Sequence, residues 1–327
     1  MFEVISSLNF ADPAELTEAA QKIELRGYDS RTHLTGQYAL KLSENQIRPL
    51  SVSDISDYLC PTRRDLYFKK GKNRPAKIRR TKTWGGVAGN VVEGYFIDLF
   101  KQEIGRRNRL SYEAIKKAAR ATNSRFREKE RSKFRELDGL KAKPSEDPDW
   151  LLNLLYLAGK MSMGSRSLDR ILAKNSASAL VKETDVQTTP INPNVMQIGI
   201  SKGAKPDFIL PSQKIVGDIK SGMIGFKEYF FNTCTGYALA YENALGIEHN
   251  IDIGVIFFFP TRCSDFAKPI SFAQTYIFVI DDELRGQFKR RRNEAYSIIS
   301  NENPPEMPSD TKECIRCQFR EVCLDGV

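Results

Sequence analysis

Four cysteines and a spaced set of acids with one lysine carry the chemistry open to this sequence. Cys314, Cys317 and Cys323 form a C-x2-C-x5-C cluster near the end of the 327-residue chain, and Cys60 lies about 250 residues earlier. A C-x2-C pair reaches one metal from a single tight turn, a third thiolate five residues on closes over it, and Cys60 as fourth ligand would tie the two chain ends together. Four thiolates suit tetrahedral zinc or an iron–sulfur cube, and spacing leaves both open. Between the two halves lies Asp207-x10-Asp218-Ile219-Lys220. If residues 211–214 make a four-residue loop, Leu210 faces Ile215 across a hairpin and Asp207 falls opposite Asp218. Strand alternation then places Lys220 on the face of the two acids, on a rim strand, and turns Ile219 into the core. Two like charges about 4 Å apart repel by roughly 4 kcal/mol at an effective dielectric near 20. The pair therefore calls for a hard cation, Mg²⁺ or Mn²⁺. Such an ion activates water and neutralises phosphate charge, and Lys220 orients that water or stabilises the pentavalent transition state. Hydrolysis of a phosphodiester is the matching reaction.

The elements that must position these groups follow from local signals. Asp12 and Pro13 predict a helix over 12–26. Ser53 is expected to cap a short helix carrying Ile55, Tyr58 and Leu59, with Pro61 starting the next, so that Cys60 sits at a helix–helix corner. The stretch from Trp84 to Asn90 leads into an amphipathic helix carrying Glu93, and helix continues to about Asn175, broken at 143–149. Strand signals appear later: a hairpin at 207–210 and 215–220, then strands over 251–259 and 271–280. Helices are expected over 226–245, bearing Thr233 and Tyr237, and over 281–300. Strands interleaved with helices give an α/β core. The boundaries read as an N-terminal helical extension (1–50), a segment with the first cluster ligand and first core helix (51–100), a basic helical insertion (101–185), a nuclease core (186–300) and a C-terminal cluster segment (301–327).

Length and charge narrow the class. The chain has ample material for a core, no basic run leading into an apolar one at its start, and no stretch near the roughly 18 apolar residues of a membrane span. The expectation is a cytoplasmic protein with no membrane partner. In a reducing compartment the clustered cysteines belong on metal and not in disulfides; Cys234 and Cys263, in apolar surroundings, read as small buried hydrophobes. The formal net charge is +9, which favours a polyanionic partner, nucleic acid first. The excess is concentrated from Lys101 to Lys143 and in Lys289-Arg290-Arg291-Arg292, two candidate phosphate-contacting stretches. No G-x4-G-K-[ST] is present, so unwinding would need a partner.

D-x10-D-x-K alone is also what a charged edge strand writes. Its company distinguishes it: the order Cys60, Glu93, Asp207, Asp218, Lys220, Thr233/Tyr237, Cys314/Cys317/Cys323 resembles the CRISPR-associated iron–sulfur nucleases of the RecB-like PD-(D/E)xK superfamily, whose cluster arrangement is shared by the nuclease domains of AddB-type helicase–nucleases. The resemblance covers roughly 51–100 and 203–327, and the long insertion looks like that of larger archaeal variants. It implies a restriction-endonuclease-like core with a helical insertion and a cysteine-ligated cluster joining the N- and C-terminal segments. It further implies metal-dependent exonucleolytic cleavage of DNA, on single strands, in the acquisition of new CRISPR spacers, alongside adaptation proteins such as the integrase complex. By motif, Asp207 and Asp218 would hold Mn²⁺ or Mg²⁺, Lys220 would be the catalytic lysine, and the four cysteines would ligate a 4Fe–4S cluster. Two departures matter. The family's G-x3-H segment reads Gly89 or Asn90 here, with His33 and His249 elsewhere, so Glu93 is expected to replace the histidine at the metal. The family's Q-x3-Y reads Thr233-x3-Tyr237, which keeps a hydroxyl and loses the amide. The alternatives are a repair or recombination nuclease of the same fold, and a catalytically silent DNA-binding or complex-forming protein with a structural cluster.

Overall fold

The computed structural model of the chain describes residues 49–57, 60–71, 87, 90, 93, 94, 128, 131, 132, 135, 187–211, 214–222, 229–246, 249–260, 274–312, 314 and 317–324. The expected helix over 12–26 and most of the 101–185 insertion lie outside these residues; Arg131 and Arg135 within the insertion are helical and exposed. Elements follow as α1 (Val52–Ser56), α2 (Arg64–Lys70), α3 (Val195–Ile198), β1 (Phe208–Leu210), β2 (Ile215–Gly222), α4 (Tyr229–Leu245), β3 (Ile253–Pro260), β4 (Gln274–Val279), α5 (Asp282–Ser300) and α6 (Arg320–Leu324).

The hairpin takes the register that its loop length sets. Leu210 pairs with Ile215 and Phe208 with Gly217 in an antiparallel ladder. A Cβ on Gly217 would sit inside the Phe208 ring, so the ring lies across the glycine and any slip of one residue would drive it into a side chain. That contact fixes the ladder one step before Asp207 and Asp218. β2 then pairs parallel with β3, and β3 antiparallel with β4, giving the order β1-β2-β3-β4. A parallel pair needs a crossover, and α4 supplies it. β2 is therefore an inner strand and not the rim strand the sequence suggested, because the crossover returns the chain to its free edge.

α4 packs on β2 and β3, and α1 and α5 pack on α4. Gly236 permits this second layer: a Cβ there would run into Phe288 of α5 and Val52 of α1. Leu50, Ile55, Val216, Cys234, Leu239, Ile256 and Phe288 belong to the resulting core. Inside it Arg285 grips both carboxylate oxygens of Glu242, at 2.6 and 2.8 Å, and donates to Ile251 O at 2.8 Å. This buried fork joins α4, the approach to β3 and α5, and its hydrogen bonds offset the desolvation of both charges.

Two local expectations are corrected. Ser51, not Ser53, caps α1: its hydroxyl accepts from Asp54 N at 3.1 Å while Asp54 Oδ2 accepts from Ser51 N at 2.9 Å, a reciprocal box. The following helix starts at Arg64 and not at Pro61, after Arg63 turns through a left-handed conformation at φ 56°. The buried Arg63 side chain donates to Asp54 O and Arg291 O, and these bonds hold the turn that follows Cys60.

The basic run on α5 also differs from the sequence reading. Lys289 and Arg292 are each 1 % exposed. Arg291 donates to Ser56 O at the end of α1, and Arg292 to Ile198 O at the end of α3. Cations at helix C-termini satisfy unpaired carbonyls and meet the negative end of the dipole, so the run clamps the fold; only Arg290 among the four is exposed. Burial, then Arg292 and Arg285, pulls Lys289 down to about 7, with Asp282 and Glu242 opposing. A lysine depressed in the folded state binds its proton more readily when unfolded, so its cost to stability is absent above about pH 10.5 and complete below about pH 7. Lys289→Met should raise the melting temperature by on the order of a few degrees at pH 6, and the gain should fade as pH approaches 10. A gain that did not change with pH in thermal melts would refute the neutral, buried lysine.

Among the described residues no helix is long and apolar enough to cross a membrane.

Candidate active site

The fold brings the separated acids together. Asp207 directly precedes β1, opposite Asp218 by continuation of the ladder, and its Oδ2 accepts from Ile219 N. Asp218 is 3 % exposed on β2 and Ile219 is buried at 6 %. Lys220 Nζ lies 2.8 Å from Asp218 Oδ2 as an ion pair and 5.7 Å from the centre of the Phe230 ring on α4. Glu93, helical and half-buried, hydrogen-bonds with Asp207. Of the two residues that stand where the resemblance expects a histidine, Asn90 is helical and exposed; Gly89 lies outside the described residues.

Three carboxyl groups and one ammonium cannot all be charged at this spacing without cost. Burial, then Asp218 and Glu93, holds Asp207 well above the usual carboxylate range, the Ile219 N–H opposing. Burial raises Glu93 too, the Asp207 hydrogen bond opposing. Burial raises Asp218, with Lys220 opposing. For Lys220, burial would favour the neutral amine, but Asp218 and then Asp57 outweigh it and hold the ammonium form far above the normal lysine range. Lys220 is thus a fixed cation and not a base. The Tyr237 hydroxyl, one helical turn from Thr233 on α4, is pushed up by burial and then by Asp218, and stays a donor. Thr233 is 1 % exposed, and its Oγ1 is buried with no hydrogen-bond partner.

Sequence reasoning missed Asp57. It is the C-cap of α1 and exposed, yet close enough to Lys220 and Asp218 to feel both. Crowding around its carboxyl raises it, and Lys220 opposes. Nothing in the pattern Asp54-Ile55-Ser56-Asp57 distinguishes it from a surface acid.

A second centre lies between α2 and the C-terminal segment. Cys60, Cys314, Cys317 and Cys323 line one cavity with Arg64, Phe68, Pro308 and Phe319. All four are free thiols. Phe68 stacks on Phe319 at 6.3 Å, and Tyr67 OH donates to Glu302 O at 2.5 Å, so α2 draws the tail over the cavity. Phe319 N donates to Cys317 Sγ at 3.4 Å, and Cys60 Sγ and Thr62 Oγ1 share a hydrogen bond at 3.4 Å. Burial, then the neighbouring thiols Cys60 and Cys323, pushes Cys314 up; burial also raises Cys317, with Phe319 N opposing.

Among the described residues no three His, Cys, Asp or Glu side chains are gathered as a ready metal-binding group. At the acids, the Lys220 ammonium lies 2.8 Å from Asp218.

The class is given by a family model described as CRISPR-associated exonuclease Csa1, a nuclease family, with which the mixed α/β sheet is compatible. That model matches residues 23–326, nearly the whole chain, and the protein belongs to that family. No curated protein matches it significantly.

Proposed function

We propose that the chain is a metal-dependent exonuclease acting on single-stranded DNA, built on a PD-(D/E)xK core and carrying a 4Fe–4S cluster. We further propose that it serves CRISPR spacer acquisition in the cytoplasm beside adaptation proteins such as an integrase complex. The observation that carries the reading is the convergence of Glu93, Asp207, Asp218 and Lys220 from a helix and two strands onto one neighbourhood.

The residues fit a hard divalent cation. The Asp218 carboxylate is buried, with Lys220 Nζ 2.8 Å from its Oδ2, and burial and mutual repulsion raise both Asp207 and Glu93, which marks an acid cluster short of positive charge. Asp207, Asp218 and Glu93 would hold Mg²⁺ or Mn²⁺ through oxygen. When bound there, the ion polarises a phosphate oxygen and lowers the pKa of a water. Lys220, kept charged by Asp218, neutralises the charge that builds on the phosphoryl group as water attacks phosphorus and the bond to the leaving oxygen breaks. Tyr237 presents its proton to a phosphate oxygen. The cysteine cavity fits a cluster in the same way: four soft ligands, an aromatic wall and hydrogen bonds to sulfur are the means by which proteins hold and tune iron–sulfur centres.

End-labelled single-stranded DNA should be shortened stepwise with Mn²⁺ or Mg²⁺ and left intact with EDTA. Undiminished cleavage in the chelator would reject metal dependence, and binding without cleavage under any divalent ion would favour the silent DNA-binding protein.

A further inference from the structure

The cysteine cavity contains a guanidinium with an unused donor. Arg64, the first residue of α2, lines the cavity and is only 9 % exposed. Its Nη1 donates to Pro305 O at 2.5 Å, and its Cζ lies 5.3 Å from the centre of the Phe68 ring. Its Nε is buried and has no hydrogen-bond partner. Arginine stays charged in a protein, and a buried charged donor left without an acceptor is costly. An anionic acceptor in the cavity would remove that cost. The carboxylates lining it are Asp65, half-buried, and Asp310, exposed; the other cation, Arg320, is exposed. The acceptors common to the whole cavity are sulfurs. Two of the four already have hydrogen-bonding neighbours, Phe319 N at Cys317 and Thr62 at Cys60.

We infer that Arg64 Nε–H donates a hydrogen bond to a sulfur of the cluster and thereby raises the cluster's reduction potential. The inference rests on the cofactor reading above. Reduction adds an electron to an already anionic assembly, and a buried cation bonded to its sulfur favours the more negative state. Hydrogen bonds to the sulfurs and net charge are among the factors that set such potentials. Arg64 is a positioning and tuning residue here; it touches no DNA and takes no part in hydrolysis.

The test uses full-length protein purified without oxygen. Its iron and sulfide are measured, and the cluster is titrated by its visible and EPR signals. Arg64→Leu should keep the same iron and sulfide content but favour the reduced state about tenfold less, which for a one-electron couple is about 59 mV downward. Arg320→Ala removes an equal charge from the exposed rim and should shift the potential far less. An unchanged potential in Arg64→Leu, or an equal shift in Arg320→Ala, overturns the assignment. Should Arg64→Leu fail to retain its cluster, wild-type protein made with guanidinium-¹⁵N arginine decides: the reduced cluster should show a ¹⁵N coupling by pulsed EPR that Arg64→Lys lacks, and no coupling refutes the bond. A colourless protein with bound zinc overturns the cofactor reading and this inference together, whereas a brown protein with an indifferent Arg64 overturns this inference alone.

Discussion

Asp218→Asn should lower DNA cleavage by at least about a thousandfold, the scale on which removing one preorganised charge from an active site acts, while leaving the melting temperature and the colour of the protein in place. Asp218 has two tasks. On the proposed mechanism it would offer an oxygen to a divalent cation, and at 2.8 Å it holds the Lys220 ammonium in position and charged. Asparagine keeps the volume of a 3 % exposed side chain on an inner strand, so β2 stays packed, but the amide is a poor ligand and no counter-ion. Stability is not expected to suffer, because burial already disfavours the Asp218 carboxylate and its charge repels Asp207. Alanine is the less informative change: on this inner strand it would open a cavity beside the lysine, adding a packing defect to the chemical one. Cleavage by Asp218→Asn at near wild-type rate in Mg²⁺ or Mn²⁺ would remove this acid from the catalytic centre.

Cys317→Ser should cost the protein the proposed cluster and a large part of its thermal stability. The cavity joins α2 to a segment some 250 residues away in sequence, and α6 buries none of its own side chains. Among the described residues the contacts that remain include the stacking of Phe68 on Phe319, Val322 packed against the same aromatic cluster, and the hydrogen bonds of Tyr67 and Arg64 to Glu302 O and Pro305 O. Ligation of the proposed cluster would thus be folding energy for the tail, as in other small metal-closed segments. A loss of about 3 kcal/mol would lower the melting temperature by roughly 6–12 °C for a domain of this size. Because Cys317 also packs against Tyr67, Phe68 and Phe319, Cys317→Ala serves as the companion variant, keeping an apolar side chain without a ligand. If both variants retain metal and melt with the wild type, the cysteines are not the ligands.

Features set by neighbours a few residues apart are legible in the chain alone. Residues 211–214 and the two-residue period of the flanking strands fix Leu210 against Ile215, and from there Asp207 against Asp218, since strand register follows from loop length and alternation. The helix expected over 281–300 forms as α5, and Asp281 caps it, because a cap and its helix are one local unit; its side chain accepts from Leu284 N. The C-x2-C-x5-C spacing likewise proposed a shared centre for the cysteines before any fold was known. The choice between Ser51 and Ser53 was also local, but Ser51-Val52-Ser53-Asp54 offers two candidate caps, and the one whose hydroxyl reaches a backbone N–H while Asp54 reaches back to it prevails.

Only the tertiary structure decided which faces meet. Lys289-Arg290-Arg291-Arg292 has the composition of a phosphate-binding surface, and what turns it inward is a pair of distant helix ends: Ser56 O for Arg291, and Ile198 O, 94 residues away, for Arg292. No local pattern records an acceptor that far off. The same holds for Glu93, whose helix periodicity names a polar face but not Asp207 as its partner, and for Asp57, an ordinary surface letter until α1 docks beside α4 and brings it near Lys220. Arg64 belongs with them, because only the folding of the tail over α2 leaves its Nε buried among the cysteines with nothing yet to bond.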